Sequence, residues 1–213
     1  MLMQSHVHVI DSDLRRRARV SRELMLMDMH AEIYEGIEEF GARPPKPGVI
    51  LAADDSTEYD PHDLIDLVDS AGNRLPVAMY SDAPSPEKIV KAMIDGVLDY
   101  LQWPFDPVLL DRAVERLQVE GERRAEQDRR QSQARALVEE LSPREREVLI
   151  SIVQGRANKE TARELGISAR TVEIHRGNMM RKLRARSTSD AVRMALYAGL
   201  DQAAAPDPQA IFS

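Results

Sequence analysis

Short apolar runs alternate with helical stretches through the first half of the chain. Four runs have the pattern of strands, namely VHVIDSD (7–13), PGVILAADD (47–55), LPVAMYSD (75–82) and VLDYLQWPF (97–105). The stretches 14–29, 61–70 and 85–95 between them have the pattern of helices. Strands that alternate with helices predict a parallel sheet covered on both faces. In such sheets the functional side chains lie at the carboxyl ends of the strands.

The pattern becomes entirely helical from residue 141 onward. Ser142 fits an N-cap, Pro143 the first helical position, and Glu145 the third residue of a capping box. Apolar side chains at a 3.6-residue spacing follow, and Gly155 ends this helix. Its predicted core positions are Val148, Leu149, Ile152 and Val153.

Three more helices are predicted after Gly155. Asn158 begins a short helix that Gly166 breaks, and Ser168 caps a longer helix over 169–184. The last helix, over 189–198, directs Ala191, Val192, Met194, Ala195 and Leu196 toward the core. A helix, a short glycine-containing turn and a second helix form the helix-turn-helix plan. In that plan the second helix lies in the major groove of DNA.

The helix over 169–184 has two distinct faces. Val172, Met179 and Leu183 fall on the core face. The opposite face, which can reach base edges, carries Arg170, Glu173, Ile174, Gly177 and Arg181. Arginine suits guanine, glutamate the cytosine amino group, and isoleucine the thymine methyl. Gly177 allows the backbone to approach DNA closely, at a cost in helix stability of about 1 kcal/mol relative to Ala.

Other side chains of this region can reach phosphates, which give affinity without sequence information. They are Lys159, Thr171, Arg176, Lys182, Arg184 and Arg186. His175 lies beside the core face. A single histidine there is more often packed or in contact with phosphate than bound to a metal.

Charge is distributed unevenly along the chain, although the net charge is only −7. Residues 1–110 hold 10 basic and 20 acidic side chains, whereas residues 141–200 hold 12 and 6. An acidic unit joined to a basic one is typical of a regulator attached to a nucleic-acid binder. Random variation in surface charge is the alternative explanation.

The stretch 107–140 separates the two patterns. Leu110, Val114 and Leu117 follow a heptad spacing, but the middle of the stretch is charged in both signs. It fits either a solvated helix or flexible tether, or a continuous coiled coil. We therefore expect four segments: a first domain over 1–118, a helical linker over 119–140, a DNA-binding domain over 141–200 and a disordered tail over 201–213.

Residues 141–200 resemble the DNA-binding domain of LuxR/FixJ-type regulators along their whole length. The resemblance rests on LSPREREVL, NKETARELGIS and TVEIHRGNMMRKL. It implies a four-helix domain that binds two DNA half-sites as a dimer. Residues 5–118 resemble the receiver domain of response regulators, which implies an α/β, flavodoxin-like, five-stranded parallel sheet.

The receiver resemblance fails at the residues that handle phosphate. A receiver has an acidic pair for Mg²⁺, an aspartate that accepts the phosphoryl group, a threonine or serine, and a lysine. The matching positions here hold Asp11 and Ser12, Ala53, Ser81 and Trp103. Asp13 and Asp54 each lie one place late, and since side chains alternate along a strand, Asp54 is expected to point away. Tyr100 matches the aromatic switch position.

Three of the phosphate-handling positions are altered: Ser12 replaces one acidic residue, Ala53 the aspartate and Trp103 the lysine. Because phosphoryl transfer needs the nucleophile, the cation and the charged lysine together, these changes favour a pseudo-receiver that accepts no phosphoryl group. Two alternatives stay open: phosphorylation at a shifted site, Asp54 or Asp55, and a different fold. Trp103 either fills the apolar space left by a lost ion pair or stacks on a ligand.

The overall interpretation is a transcriptional regulator whose partner is double-stranded DNA. We expect no enzyme activity, no catalytic residue, no metal and no cofactor. No Cys is present, no apolar run approaches the roughly 18 residues of a membrane span, and no signal peptide is recognisable, so a cytoplasmic location is expected. An adaptor that docks other proteins is the alternative from another class.

A homodimer is expected, with a regulatory protein partner at the receiver domain as a further option. The expected dimer surface combines the receiver with the start of the linker. Its residues are Met93, Val97, Tyr100, Leu110, Val114 and Leu117.

Overall fold

A computed structural model describes residues 5–42, 46–54, 59–70 and 74–200 of the chain. The first half contains β1 (His6–Ile10), α1 (Leu14–Leu26), β2 (His30–Tyr34), α2 (Ile37–Gly41), β3 (Val49–Ala53), α3 (Pro61–Ser70), β4 (Val77–Ser81), α4 (Pro86–Ile94) and β5 (Asp99–Gln102). It is followed by α5 (Pro107–Glu139), α6 (Pro143–Val153), α7 (Asn158–Leu165), α8 (Ala169–Lys182) and α9 (Thr188–Tyr197).

The five strands form one parallel sheet in the order β2-β1-β3-β4-β5. This confirms the predicted α/β fold. The central strands β3 and β4 are buried at every residue, as their continuous apolar sequences indicate. The edge strand β2 and the short helix α2 were not located from the sequence, because the strand HAEIY lacks a continuous apolar run and none of its residues is buried.

Two apolar clusters cover the two faces of the sheet. One cluster joins alternate strand residues, such as Leu51 and Tyr80, to Val20 and Leu24 of α1 and to the start of α5. The other cluster joins the remaining strand residues to α2, α3 and α4. Since neighbouring residues of a strand face opposite clusters, each strand end presents two successive side chains to different sides of the sheet.

Helix α5 is a single helix of 33 residues. Its residues Leu110, Val114 and Leu117 are each about 1% exposed and belong to the core beside the sheet. The expectation that they form a dimer surface is therefore wrong. An apolar heptad spacing describes a helix packed on its own domain as well as one packed on a second helix. Val97, also expected in that surface, is buried too.

The C-terminal helices enclose their own core. Leu149, Met179 and Leu183 are buried there, and α5 contributes Leu137 and Val138 from its last turns. Leu196 is 48% exposed, so its predicted core position is wrong. The neighbours Ala191 and Ala195 are fully buried.

The chain divides into two compact units, Met1–Ala125 and Glu126–Ser213. The expected boundaries at 118/119 and 140/141 lie on either side of this division, which falls within α5. The helical linker over 119–140 stays a prediction. The predicted disordered tail lies outside the described residues, as does Asp55. None of the described helices is both long enough and apolar enough to cross a membrane.

Candidate nucleic-acid interface and receiver site

Local hydrogen bonds fix the turn that positions α8. Gly166 adopts φ +66° after α7, a left-handed conformation that glycine adopts without steric cost. Ser168 then caps α8, since its Oγ accepts a hydrogen bond from the Thr171 backbone N–H at 3.0 Å. These short-range signals were all visible in the sequence, and they bring α7 and α8 together as a helix-turn-helix.

The outer face of α8 is open to solvent. All five residues predicted to reach base edges are exposed: Arg170, Glu173, Ile174, Gly177 and Arg181. Ile174 has 58% of its surface exposed, although it is apolar. A Cβ added at Gly177 would meet no atom within 4 Å. The face thus combines accessible backbone at Gly177 with one apolar and three charged side chains. This combination suits contacts with base edges in the major groove.

Arg176 and Thr171, both predicted to contact phosphates, have partners inside the domain. Arg176 donates to Asn158 Oδ1 at 3.2 Å and to Thr188 Oγ1 at 2.6 Å, which joins the starts of α7 and α9. The Thr171 hydroxyl is 2.7 Å from the Ser168 hydroxyl. Lys159 is exposed in the first turn of α7, and His175 is half-buried. The exposed Lys159 therefore remains available for a phosphate contact.

Lys182 has a structural role that sequence reasoning missed. Its ammonium donates to Glu145 Oε2 at 2.7 Å and to the Glu140 carbonyl at 3.1 Å. Glu145 also accepts from the Ser142 backbone N–H at 2.8 Å, which completes the predicted capping box. Burial alone would raise the pKa of Glu145, but the hydrogen bonds from Lys182 and Ser142 outweigh it and lower that pKa. We therefore assign Lys182 to anchoring α8 on α6.

The receiver-like unit brings Asp11, Ala53, Ser81 and Trp103 to the carboxyl edge of its sheet. The Asp11 side chain is fully buried, yet its carboxylate is fully hydrogen-bonded. Arg16 donates to Asp11 Oδ2 from Nε at 2.7 Å and to Oδ1 from Nη2 at 3.0 Å. Two other donors complete the set: the Tyr80 hydroxyl at 2.7 Å and the Asp13 backbone N–H at 2.9 Å.

The four donors leave the Asp11 carboxylate little capacity for a metal ion, because an ionised carboxylate has about four acceptor positions. Burial, with the charge of Asp11, raises the pKa of Tyr80 far above its ordinary value, so its hydroxyl stays protonated and donates. Neither Arg16 nor Tyr80 was selected from the sequence. Arg16 is one of three consecutive arginines, and Tyr80 lies 69 residues from Asp11.

Ala53 and Asp54 lie on different sides of the sheet. Ala53 belongs to the same cluster as Tyr80 and Trp103. Asp54 accepts a hydrogen bond from the Tyr100 hydroxyl at 2.5 Å, and Tyr100 packs against the other cluster. The Asp54 carboxylate is therefore directed toward β5, while the side of the sheet that faces Asp11 has only a methyl group at this strand end.

Trp103 is 6% exposed and packs edge-on against Phe105, with ring centroids 4.8 Å apart. The Arg19 guanidinium lies 5.1 Å from its ring centre. A buried ring in an aromatic cluster matches the space-filling alternative better than ligand stacking. Ser81 is buried and accepts from the Ala83 backbone N–H at 3.2 Å, whereas Ser12 is exposed.

Comparison with known proteins gives both units relatives. Residues 139–195 match the family described as bacterial regulatory proteins, luxR family. The transcriptional regulatory protein FixJ of Rhizobium meliloti (strain 1021) is 31% identical over 196 residues, which cover 91% of this chain and 96% of that protein.

Two solved structures cover both units. Full-length FixJ from B. japonicum has 29% identity and a TM-score of 0.54, covering 92% of this chain and 98% of the other. The response regulator StyR has 29% identity and a TM-score of 0.68, covering 91% and 98%.

A receiver-type sheet followed by a LuxR-type helix-turn-helix defines a DNA-binding transcriptional response regulator. The chain belongs to the FixJ family of these regulators.

Proposed function

We propose that this chain regulates transcription by binding double-stranded DNA as a homodimer, and that its receiver-like unit works without accepting a phosphoryl group. The ion pair between Arg16 and Asp11 is the observation that carries the second part. The first part rests on the outer face of α8.

Phosphoryl transfer to a receiver needs a nucleophile, a bound cation and a positive charge on the phosphoryl oxygens. Ala53 supplies no nucleophile at the end of β3, and Trp103 supplies no charge. Arg16 already neutralises Asp11, and its side chain is only 10% exposed. A cation would have to displace this guanidinium from a buried pair, which is costly because breaking such a pair leaves a charge uncompensated.

Phosphorylation at Asp54 is the second candidate, and its partial exposure favours it. Intact-protein mass spectrometry after incubation with acetyl phosphate and Mg²⁺ separates the two. We expect no added phosphoryl group, and we expect the same result for Asp54→Ala. A phosphoryl group that is lost in Asp54→Ala would establish the shifted site and contradict our proposal.

The charge of residues 141–200, with 12 basic and 6 acidic side chains, supports DNA as the partner of the second unit. A protein-docking adaptor has no need for that excess of basic groups. It would also not require an exposed helix face that combines Arg170, Ile174 and Gly177. We therefore retain the adaptor only as an outcome that a failure to bind DNA would favour.

The exposed apolar side chains of α4 support dimerisation of the first unit. Val90 is 57%, Met93 43% and Ile94 79% exposed, and we name these three residues the α4 patch. Paired half-sites need two recognition helices roughly 34 Å apart, so the occupant we propose is the α4 patch of a second copy of this chain. Such pairing raises DNA affinity through effective concentration.

Charged variants of the α4 patch test the dimer. Met93→Glu and Ile94→Glu should shift the protein toward monomer in sedimentation velocity and weaken binding to paired half-sites. Leu26→Glu is the control, since Leu26 is 79% exposed on α1, which covers the opposite face of the sheet. If both variants remain dimeric, the α4 patch is not the dimer surface. A parent chain that is monomeric until another protein is added would instead assign the patch to a regulatory partner.

A further inference from the structure

Three histidines and a glutamate lie together at the amino ends of β1 and β2, at the opposite end of β1 from Asp11. The parallel register pairs His6 with His30 and His8 with Glu32. Because residues two apart share one face of a strand, the four side chains form a compact patch on one side of the sheet.

Three of these side chains have the spacing of a metal-ligand set. His6, His8 and Glu32 each offer one ligand atom, and these atoms lie within 4.8 Å of one another. His6 Nε2 is 2.9 Å and His8 Nδ1 is 3.9 Å from Glu32 Oε2. Ligand atoms about 2.1 Å from a tetrahedral zinc ion are about 3.4 Å apart, so small side-chain movements suffice to close the site.

A hydrogen bond to the Lys46 backbone carbonyl orients the buried His8 ring. His8 is fully buried, and its Nε2 lies 2.9 Å from the Lys46 carbonyl oxygen. A carbonyl only accepts, so Nε2 carries the proton and Nδ1 carries the lone pair. That lone pair accepts from the Tyr34 hydroxyl at 3.1 Å, and Nδ1 lies 3.9 Å from Glu32 Oε2. A ring N–H fixed by a backbone carbonyl is the usual support of a metal-binding histidine.

Two neighbours would have to yield to an ion. The Tyr34 hydroxyl lies 3.1 Å from His8 Nδ1, and the Lys46 ammonium lies 3.8 Å from Glu32 Oε2. Rotation of the hydroxyl would move only its hydrogen, so the half-buried Tyr34 ring has to shift for an ion to reach His8 Nδ1. The Lys46 side chain is 67% exposed and can turn into solvent. Both contacts come from side-chain atoms, so no backbone has to move to admit an ion.

We propose that His6, His8 and Glu32 form a binding site for a divalent transition-metal ion of the zinc class, with a fourth position open to water. Two imidazoles and one carboxylate with an open position are a ligand set typical of zinc. The ion would join β1 to the edge strand β2. The sequence had given no reason to expect a metal, because β2 was not recognised and its Glu32 was therefore not paired with the histidines. The proposal is independent of the proposed function.

Titration of the metal-free full-length protein with zinc chloride in a calorimeter tests the site. We expect one zinc ion per chain, and affinities at least about tenfold weaker for His6→Gln and for Glu32→Gln. The control is His62→Gln, since His62 is an exposed histidine on α3, 3.4 Å from Asp66, and its loss should leave the affinity unchanged.

Cobalt supplies a second readout, because the visible spectrum of bound Co²⁺ reports its coordination. We expect the parent chain and His62→Gln to give the same tetrahedral spectrum, and the two site variants to lose it. His6 and Glu32 are both partly exposed, so their variants should fold, which circular dichroism checks. The site is overturned if the parent chain binds no zinc at micromolar concentrations. It is equally overturned if both site variants bind zinc as tightly as the parent.

Discussion

Arg16 donates two hydrogen bonds to the carboxylate of Asp11, at 2.7 and 3.0 Å, at the edge of the sheet where a receiver would hold its cation. The Asp11 side chain is fully buried and that of Arg16 is 10% exposed. The guanidinium therefore neutralises this carboxylate within the protein itself. The first unit can keep the receiver fold without a metal ion at Asp11.

Replacement of Arg16 by Gln should destabilise the first unit strongly, because it leaves the buried Asp11 carboxylate without its countercharge. We expect the free energy of unfolding to fall by about 3 kcal/mol, as measured by urea denaturation. The control is Arg15→Gln, which changes an exposed neighbour on the same helix. Equal losses in the two variants would show that the ion pair does not stabilise the fold.

Replacement of Ile174 or Arg170 by Ala should change which DNA sequence is preferred, since both side chains lie on the exposed face of α8. Selection of bound sequences from a random DNA library measures the preference. Arg193→Ala serves as the control, because Arg193 lies on α9 and bonds Asp190 at 2.7 Å. If both α8 variants select the parent's sequence, α8 is not the recognition helix.

Replacement of Gly177 by Ala should separate stability from DNA binding. A methyl group there meets no atom within 4 Å, so the free protein should gain up to about 1 kcal/mol from the better helix propensity of Ala. Binding to the selected operator should weaken, because the methyl group would separate the helix backbone from DNA. Thermal unfolding and fluorescence anisotropy measure the two effects. An unchanged affinity would place Gly177 outside the interface.

The ion pair between Glu145 and Lys182 should make the stability of the second unit depend on pH. The folded-state pKa of Glu145 is lowered, so its contribution is present above the ordinary value of 4.5 and is lost as the pH falls through the folded pKa. Glu145→Gln should flatten this acid loss, as followed by urea denaturation at a series of pH values.

Glu147→Gln is the matched control for that series, since Glu147 is more exposed and bonds Arg144 within the same helix. An acid loss that is the same in the parent, Glu145→Gln and Glu147→Gln would rule out Glu145 as its source.

Local features of the sequence predicted the second unit well. The capping box of Ser142 and Glu145, the Gly166 turn and the Ser168 cap each depend on residues a few positions apart, and all are present. The parallel sheet followed from the alternation of apolar runs with helices. Contacts that depend on the tertiary fold could not be predicted from local patterns. These are the hydrogen bonds of Arg16 and Tyr80 to Asp11, and of Lys182 to Glu145.

Other errors have a common physical cause, because a periodic pattern identifies the apolar face of a helix but not what covers it. Leu110, Val114 and Leu117 were expected to contact a second chain and instead pack on their own sheet. The opposite case is the α4 patch: Met93 had been expected in the dimer surface, but Val90 and Ile94 were not selected until their exposure was known. Strand β2 was missed because its outer residues face solvent, as Ile33 does at 46% exposure.

Titration of a labelled operator with the full-length protein, with and without acetyl phosphate and Mg²⁺, tests the central claim most directly. The operator is the sequence that the protein itself selects from a random library, and fluorescence anisotropy reports the affinity. We expect specific binding with the same dissociation constant in both conditions. Ala53 has no carboxylate to accept a phosphoryl group, and Arg16 already pairs with the Asp11 carboxylate. A clear gain in affinity on addition of acetyl phosphate, abolished in Asp54→Ala, would contradict this account.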